Sequence, residues 1–240
     1  MKSFHPVRSG KVSELVAQQI KEAILGGLLK PGDRLPAERE LGEHFQASRL
    51  SIREALKGLE TSGLLLIKPG SGVFVSEINS RPMSESLSSI LRMKKASIDA
   101  LTEARLLFEP NIARLACERM TVEDLLKLER NIQEASRIIA QGMPLREKSI
   151  EFHLLVAEAT HNPVIALSMK TFLDVLKDMS SKIVDPSPED VASQALIYHR
   201  KILRAVRQKN AQKVQDLMLK HILQMQRGYR KAESKGKRKK

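Results

Sequence analysis

Apolar residues at helical spacing open the chain. Val12, Leu15, Val16, Ile20, Ala23 and Ile24 share one face with Gln19, and Gly26-Gly27 ends the run. Residues 30–36, KPGDRLP, are rich in turn formers and read as a connection. The pattern predicts a short helix over 37–45 and another over 48–63. Ser48 suits an N-cap, although Leu50 and Ser51 make only a weak capping box. The period then changes: Leu64 to Ile67 is an apolar run, residues 68–72 must turn, and Val73-Phe74-Val75 favours a strand, so a hairpin is expected. Residues 77–84 read as a linker. Beyond them helices are predicted over 85–93, 97–119, 122–141, 145–161, 164–182, 188–208 and 210–229, broken at Gly142-Met143-Pro144, Asn162-Pro163 and Asp185-Pro186-Ser187-Pro188.

Composition sharpens this outline. With 3% aromatic residues and no Trp, the cores must be built from Leu, Ile, Val, Ala and Met, which leans helical. The fold class expected is mostly α: three helices and a hairpin over 1–76, then an antiparallel all-helical bundle over 85–229. The net charge is +13, and +7 of it lies in the last fourteen residues. The tail at 230–240 is therefore expected to be disordered, either merely solvated or drawn to polyanions of any sequence. Cys117 is the only cysteine, which rules out an intrachain disulfide and a cysteine zinc site and suits a reducing cytosol. No signal peptide or membrane span is apparent, so a soluble, cytoplasmic protein is expected.

The third helix carries the first candidate chemistry. Ser48, Arg49, Ser51 and Arg53 cluster in its first turn and a half, while Ile52, Ala55, Leu56 and Leu59 make an apolar stripe. Arg49 and Arg53 are four apart and project from one face. A helix with a basic, short-polar N-terminal face and an apolar back is what a recognition helix in a major groove requires. A single arginine would be an ordinary solvated charge; the whole arrangement points to a winged helix-turn-helix.

The segment LKPGDRLPAERELGEHFQASRLSIREALKGLETSGLLLIKPGSGVFV, within residues 12–76, resembles the winged-helix domain of GntR-family bacterial transcription regulators. The resemblance implies a backbone or groove contact for Arg39, major-groove reading by Arg49 and Arg53 with Ser48 and Ser51 beside them, and a minor-groove role for the wing at Lys68-Pro69-Gly70. Leu50 stands where some relatives carry polar residues and would touch a thymine methyl.

The helical half resembles the effector domain of the FadR-like subfamily, the FCD domain, on EARLLFEPNIARLA (103–116), SIEFHLLVAEATHNPVI (149–165) and YHRKILRAVRQKNAQKVQDLMLKHI (198–222). That resemblance implies a divalent metal held by one aspartate and three histidines, with His153, His199 and His221 at the matching positions; the alternative is three core histidines. His199 and His221 stand about eleven residues either side of a turn near Asn210, so antiparallel packing would bring them level. Ser149 replaces the aspartate, and Glu151 points off the face of His153. Zn or Ni suits three imidazoles. Arg105 either clamps the carboxylate of an organic-acid effector or pairs with Glu109 at i,i+4, and Ser149 and Asn162 (or His161) are further candidates to meet the effector. No positioned base or nucleophile accompanies the histidines, so no enzyme is expected.

These readings converge on a homodimeric, ligand-responsive repressor or activator that binds an operator in double-stranded DNA. The competing readings are a regulator that senses the metal itself and a non-specific nucleic-acid binder driven by the tail.

Overall fold

The computed structural model describes residues 10–77, 80–180 and 188–237. The chain divides into two compact units at the Pro82–Met83 bond. The first contains α1 (Gly10–Leu25), α2 (Glu38–Phe45), α3 (Arg49–Thr61), and an antiparallel pair, β1 (Leu65–Lys68) and β2 (Gly72–Val75). Leu65 faces Val75 and Lys68 faces Gly72.

The apolar stripe of α3 organises this unit. Ile52, Ala55, Leu56 and Leu59 are buried with Val16 and Ile20 of α1, Leu41 of α2, and Leu65 and Val75 of the hairpin. Burial of each large side chain is worth about 1.5–3 kcal/mol, so the rotation of α3 is set and its opposite face is left outward. Val12 and Leu15 stay exposed, making the buried stripe of α1 narrower than its sequence spacing suggests. Ser48 caps α3, its Oγ accepting the Ser51 N–H at 3.1 Å.

Residues 33–35, predicted only as a connection, form a third rung. Arg34 bridges Phe74, the Leu35 N–H donates to the Val73 carbonyl, and the Val75 N–H donates to the Asp33 carbonyl. This covers the free edge of β2, which would otherwise leave backbone groups unpaired. At the hairpin tip the Ser71 N–H donates to the Lys68 carbonyl at 2.9 Å, with Gly70 at φ +73°. Pro69 followed by a positive-φ glycine is the requirement of a type II turn.

The second unit continues α4 (Arg81–Met93) and adds α5 (Ile98–Arg119), α6 (Val122–Ala140), α7 (Arg146–Glu158), α8 (Pro163–Ser180), α9 (Pro188–Arg207) and α10 (Ala211–Lys237). Two boundaries correct the sequence reading. The helix expected from 85 begins at Arg81, so residues 81–84 are not linker; Pro82 is tolerated in a first turn, where its missing N–H has no partner to lose. At the other end α10 runs on to Lys237 where a disordered tail was expected. Lys and Arg are good helix formers, and Arg230 anchors this last stretch through a bidentate pair with Asp99 at 2.7 and 2.8 Å.

α10 packs along α5 and α9, and α7 meets α5, α6, α8 and α9. Leu128, Phe152, Ile202, Met218 and Ile222 form the main core. Ile98, Leu101, Ala157, Leu173 and Leu176 form a second, with α8 at its centre. No helix among the described residues is long and apolar enough to cross a membrane.

Leu56 is almost wholly enclosed. Leu56→Ala is expected to cost about 2–5 kcal/mol of stability, read as a lower urea midpoint with an unchanged slope.

Candidate functional site

α3 presents its N-terminal face to solvent. Arg49 and Arg53 are exposed, as are Ser48 and Leu50, while Ser51 is half-buried. The apolar back of the helix places them there, and the Ser48 cap keeps the first turn from fraying. Arg53 is not a lone charge. Its Nη2 lies 2.8 Å from Glu38 Oε2, and its Nε is 3.3 Å from both carboxylate oxygens. The Arg53 side chain nonetheless stays 70% exposed. Hydrogen bonding to Arg53 holds the Glu38 carboxyl below the usual range. Arg39, on the first turn of α2, lies 3.7 Å from Glu43 and is also exposed. In the wing, Gly70 is at the exposed tip and the Lys68 ammonium sits 5.0 Å from the centre of the Phe74 ring. The residues named in the first unit therefore all reach solvent except Ser51 in part. The Glu38 contact was not legible in the sequence because its two residues lie fifteen positions apart.

In the second unit α7, α9 and α10 bring His153, His199 and His221 together, all buried. His153 Nε2 is 3.2 Å from His221 Nε2, and His199 Nε2 is 3.3 Å from the same atom. A ring of Phe152 stacks on His199 at 3.8 Å between centres, and Tyr198 lies against His221. Burial pushes His199 and His221 well below the ordinary histidine range, helped by their neighbours and by Arg105. Both are thus neutral, as ligand imidazoles must be.

His221 Nε2 thus lies within hydrogen-bond distance of both other Nε2 atoms, and the ligand nitrogens of the three rings all lie within 4.8 Å of one another. A cation placed among them would accept one lone pair from each neutral ring. For a metal–nitrogen bond of about 2.0–2.1 Å, tetrahedral ligands stand about 3.3 Å apart, which the two measured edges match. The donor set therefore fits a divalent ion of the zinc or nickel kind.

Behind His153 stands a buried carboxylate. Glu109 Oε2 lies 2.6 Å from His153 Nδ1, off the axis of a ring N–H, and Glu109 Oε1 accepts from Arg105 Nε at 2.5 Å. Burial alone would raise the Glu109 carboxyl, but Arg105 and His153 together hold it far below the carboxylate range. Glu109 likewise keeps the buried Arg105 charged against desolvation. Among the described residues the Nδ1 atoms of His199 and His221 have no such partner.

Of the two readings open for Arg105, the structure shows the i,i+4 pair: its Nε is taken by Glu109. Asn162 has local backbone partners. Its Oδ1 accepts the N–H groups of Val164 and Ile165, capping α8, while His161 turns to Asp124 at 2.9 Å. Ser149 lies one turn before His153 on α7, half-buried, and Glu151 pairs with Lys148 away from the cluster.

A winged-helix unit followed by a helical unit points to a transcription regulator, and comparison with known proteins agrees. Residues 12–75 match the model of bacterial regulatory proteins, gntR family, and residues 100–224 match the FCD domain. The HTH-type transcriptional regulator LutR of Bacillus subtilis is 33% identical over 202 residues, spanning 83% of this chain and 92% of its own. The HTH-type transcriptional repressor NanR of Salmonella newport is 27% identical, over 90% and 85% of the two chains. A solved structure, Streptococcus agalactiae GntR, superposes with a TM-score of 0.70 at 30% identity, covering 90% of this chain and 99% of that one. The chain belongs to the GntR family of transcription regulators, with an FCD domain behind its winged helix; it is a regulator and not an enzyme.

Arg105→Met should strand the Glu109 carboxylate and cost about 3–5 kcal/mol. The double variant Arg105→Met, Glu109→Leu should recover most of that loss in urea unfolding.

Proposed function

We propose that this protein is a cytoplasmic, homodimeric repressor or activator whose affinity for a DNA operator is set by a small organic acid, bound with a divalent metal in the helical unit. The convergence of three Nε2 atoms at metal-ligand spacing carries the effector half of this reading. Three neutral imidazoles leave the ion's two positive charges uncompensated, since Ser149 stands where the subfamily has its aspartate. An anionic ligand would supply that charge and fill the open positions. The ion would serve as a Lewis acid that binds the acid, and His153, His199 and His221 would hold it. Glu109 would set the ring of His153, as carboxylates behind metal-bound histidines do.

Operator reading rests on the exposed face of α3, with Arg49 and Arg53 toward base edges, Arg39 toward the backbone and the Lys68–Gly70 wing beside them. A two-fold operator needs two such helices, and Leu107, Phe108 and Val164 leave an exposed apolar patch on α5 and α8 suited to a second copy. Effector binding would shift an existing equilibrium, with a coupling of about 1–3 kcal/mol altering operator affinity roughly 5- to 150-fold. The buried histidines also favour a second reading, in which the ion alone is the signal.

Arg49→Ala should keep the thermal melt of the parent and lose sequence-selective shift of an operator fragment. Equal shifts by variant and parent would remove α3 from the recognition role. In calorimetry, Zn should bind once per chain, and His199→Ala or His221→Ala should abolish it. DNA affinity that changes with Zn alone supports the metal-sensing reading. A change that requires an added organic acid supports the metabolite reading.

A further inference from the structure

We infer that Glu38 is a positioning residue for base recognition: its carboxylate holds the Arg53 guanidinium by one edge and leaves the other edge as a fixed fork for guanine. The inference rests on α3 being the helix that reads DNA.

A guanidinium carries five N–H donors in one plane. Glu38 engages the side that carries Nε and Nη2, at 3.3 and 2.8 Å. The end formed by Nη1 and Nη2 is left, with two parallel donors, and that is the pattern that meets O6 and N7 of a guanine. The pair is not an internal structural brace, for Arg53 remains 70% exposed and Glu38 36% exposed. Glu38 is itself fixed, being the first residue of α2, where the positive end of the helix favours a carboxylate. Its Ala37 neighbour is tied down by Glu40, whose carboxylate accepts the Ala37 N–H at 3.0 Å.

The physical consequence concerns selectivity more than strength. An unrestrained arginine beside DNA satisfies itself on phosphate, which carries no sequence information. Arg53 clamped on one side has lost most of its rotamer freedom before DNA arrives, and its neutralised charge draws phosphates less strongly. Glu38 thus trades electrostatic affinity for a fixed geometry. Removing its charge should strengthen binding to any DNA, steepen the salt dependence and weaken the guanine preference.

The test is selection from a random duplex pool with the full chain, followed by titration of the selected and of scrambled duplexes at several salt concentrations. Glu38→Gln is compared with the parent, with Arg53→Lys, and with Glu14→Gln on the exposed face of α1, which changes net charge equally without touching Arg53. The parent should select a site containing a guanine at which Glu38→Gln and Arg53→Lys each lose about tenfold or more in preference. Glu38→Gln should bind scrambled duplex at least as tightly as the parent, and Glu14→Gln should keep the parent's preference. Glu38→Gln with the parent's preference at every position overturns the inference, as does a loss that Glu14→Gln reproduces. Selection of no site by the parent would instead overturn the reading of α3. Matching thermal melts for the variants establish that a lost preference is not lost folding, and a melt lowered only in Glu38→Gln would make the pair a structural brace and also overturn the inference.

Discussion

A buried charge must be matched inside the protein, and the helical unit is arranged around one such match. Arg105, Glu109 and His153 are each about 3% exposed or less, and they run in line from α5 to α7. Neither Arg105 nor Glu109 is tolerable there without the other, because stripping either ion of water costs several kcal/mol. Satisfying both demands that α5 and α7 keep one separation and one rotation. His153 is then held beside Glu109, and α9 and α10 need only bring His199 and His221 level with it. The apolar residues around them, Phe152, Ile202, Met218 and Ile222, exclude water from the same volume.

The winged-helix unit solves the opposite problem. Its working side chains must stay wet, so the fold buries the back of α3 and leaves the front bare. Ile52, Ala55, Leu56 and Leu59 do this without any contribution from Arg49 or Arg53. The two units therefore employ arginine differently. Arg105 is consumed by its carboxylate within the core, whereas Arg53 is held by one edge at the surface and keeps donors for a partner.

Departure from the subfamily pattern at Ser149 changes the electrostatics of the histidine cluster. Glu109, the buried carboxylate beside His153, faces Nδ1 of that ring and not the convergent Nε2 atoms. Negative charge thus lies one bond network farther from the centre than an aspartate at residue 149 would put it. A site of this kind should hold a cation less firmly by itself and respond more to whatever anion joins it.

Much of this was legible from local pattern. The heptad-like stripe in α3, the Ser48 cap, the Pro-Gly turn of the wing and the Pro-marked helix breaks are encoded over a few residues, so periodicity and turn chemistry reveal them. The same holds for the i,i+4 spacing of Arg105 and Glu109 and for histidines equidistant from the Asn210 turn. What local pattern could not decide is which partner each polar group finds across space. The contact of Arg53 with Glu38, of Glu109 with His153, the edge rung at Arg34 and the anchoring of α10 by Arg230 on Asp99 join residues 15 to 131 positions apart. Asn162, polar and next to a histidine, was spent on capping α8 because the α8 N–H groups needed an acceptor. Sequence determined the elements and their faces through short-range sterics and hydrophobic period. Tertiary packing alone determined the ion pairs between distant segments and the placing of His153 beside Glu109 and the other two imidazoles, because those energies exist only when such segments meet out of water.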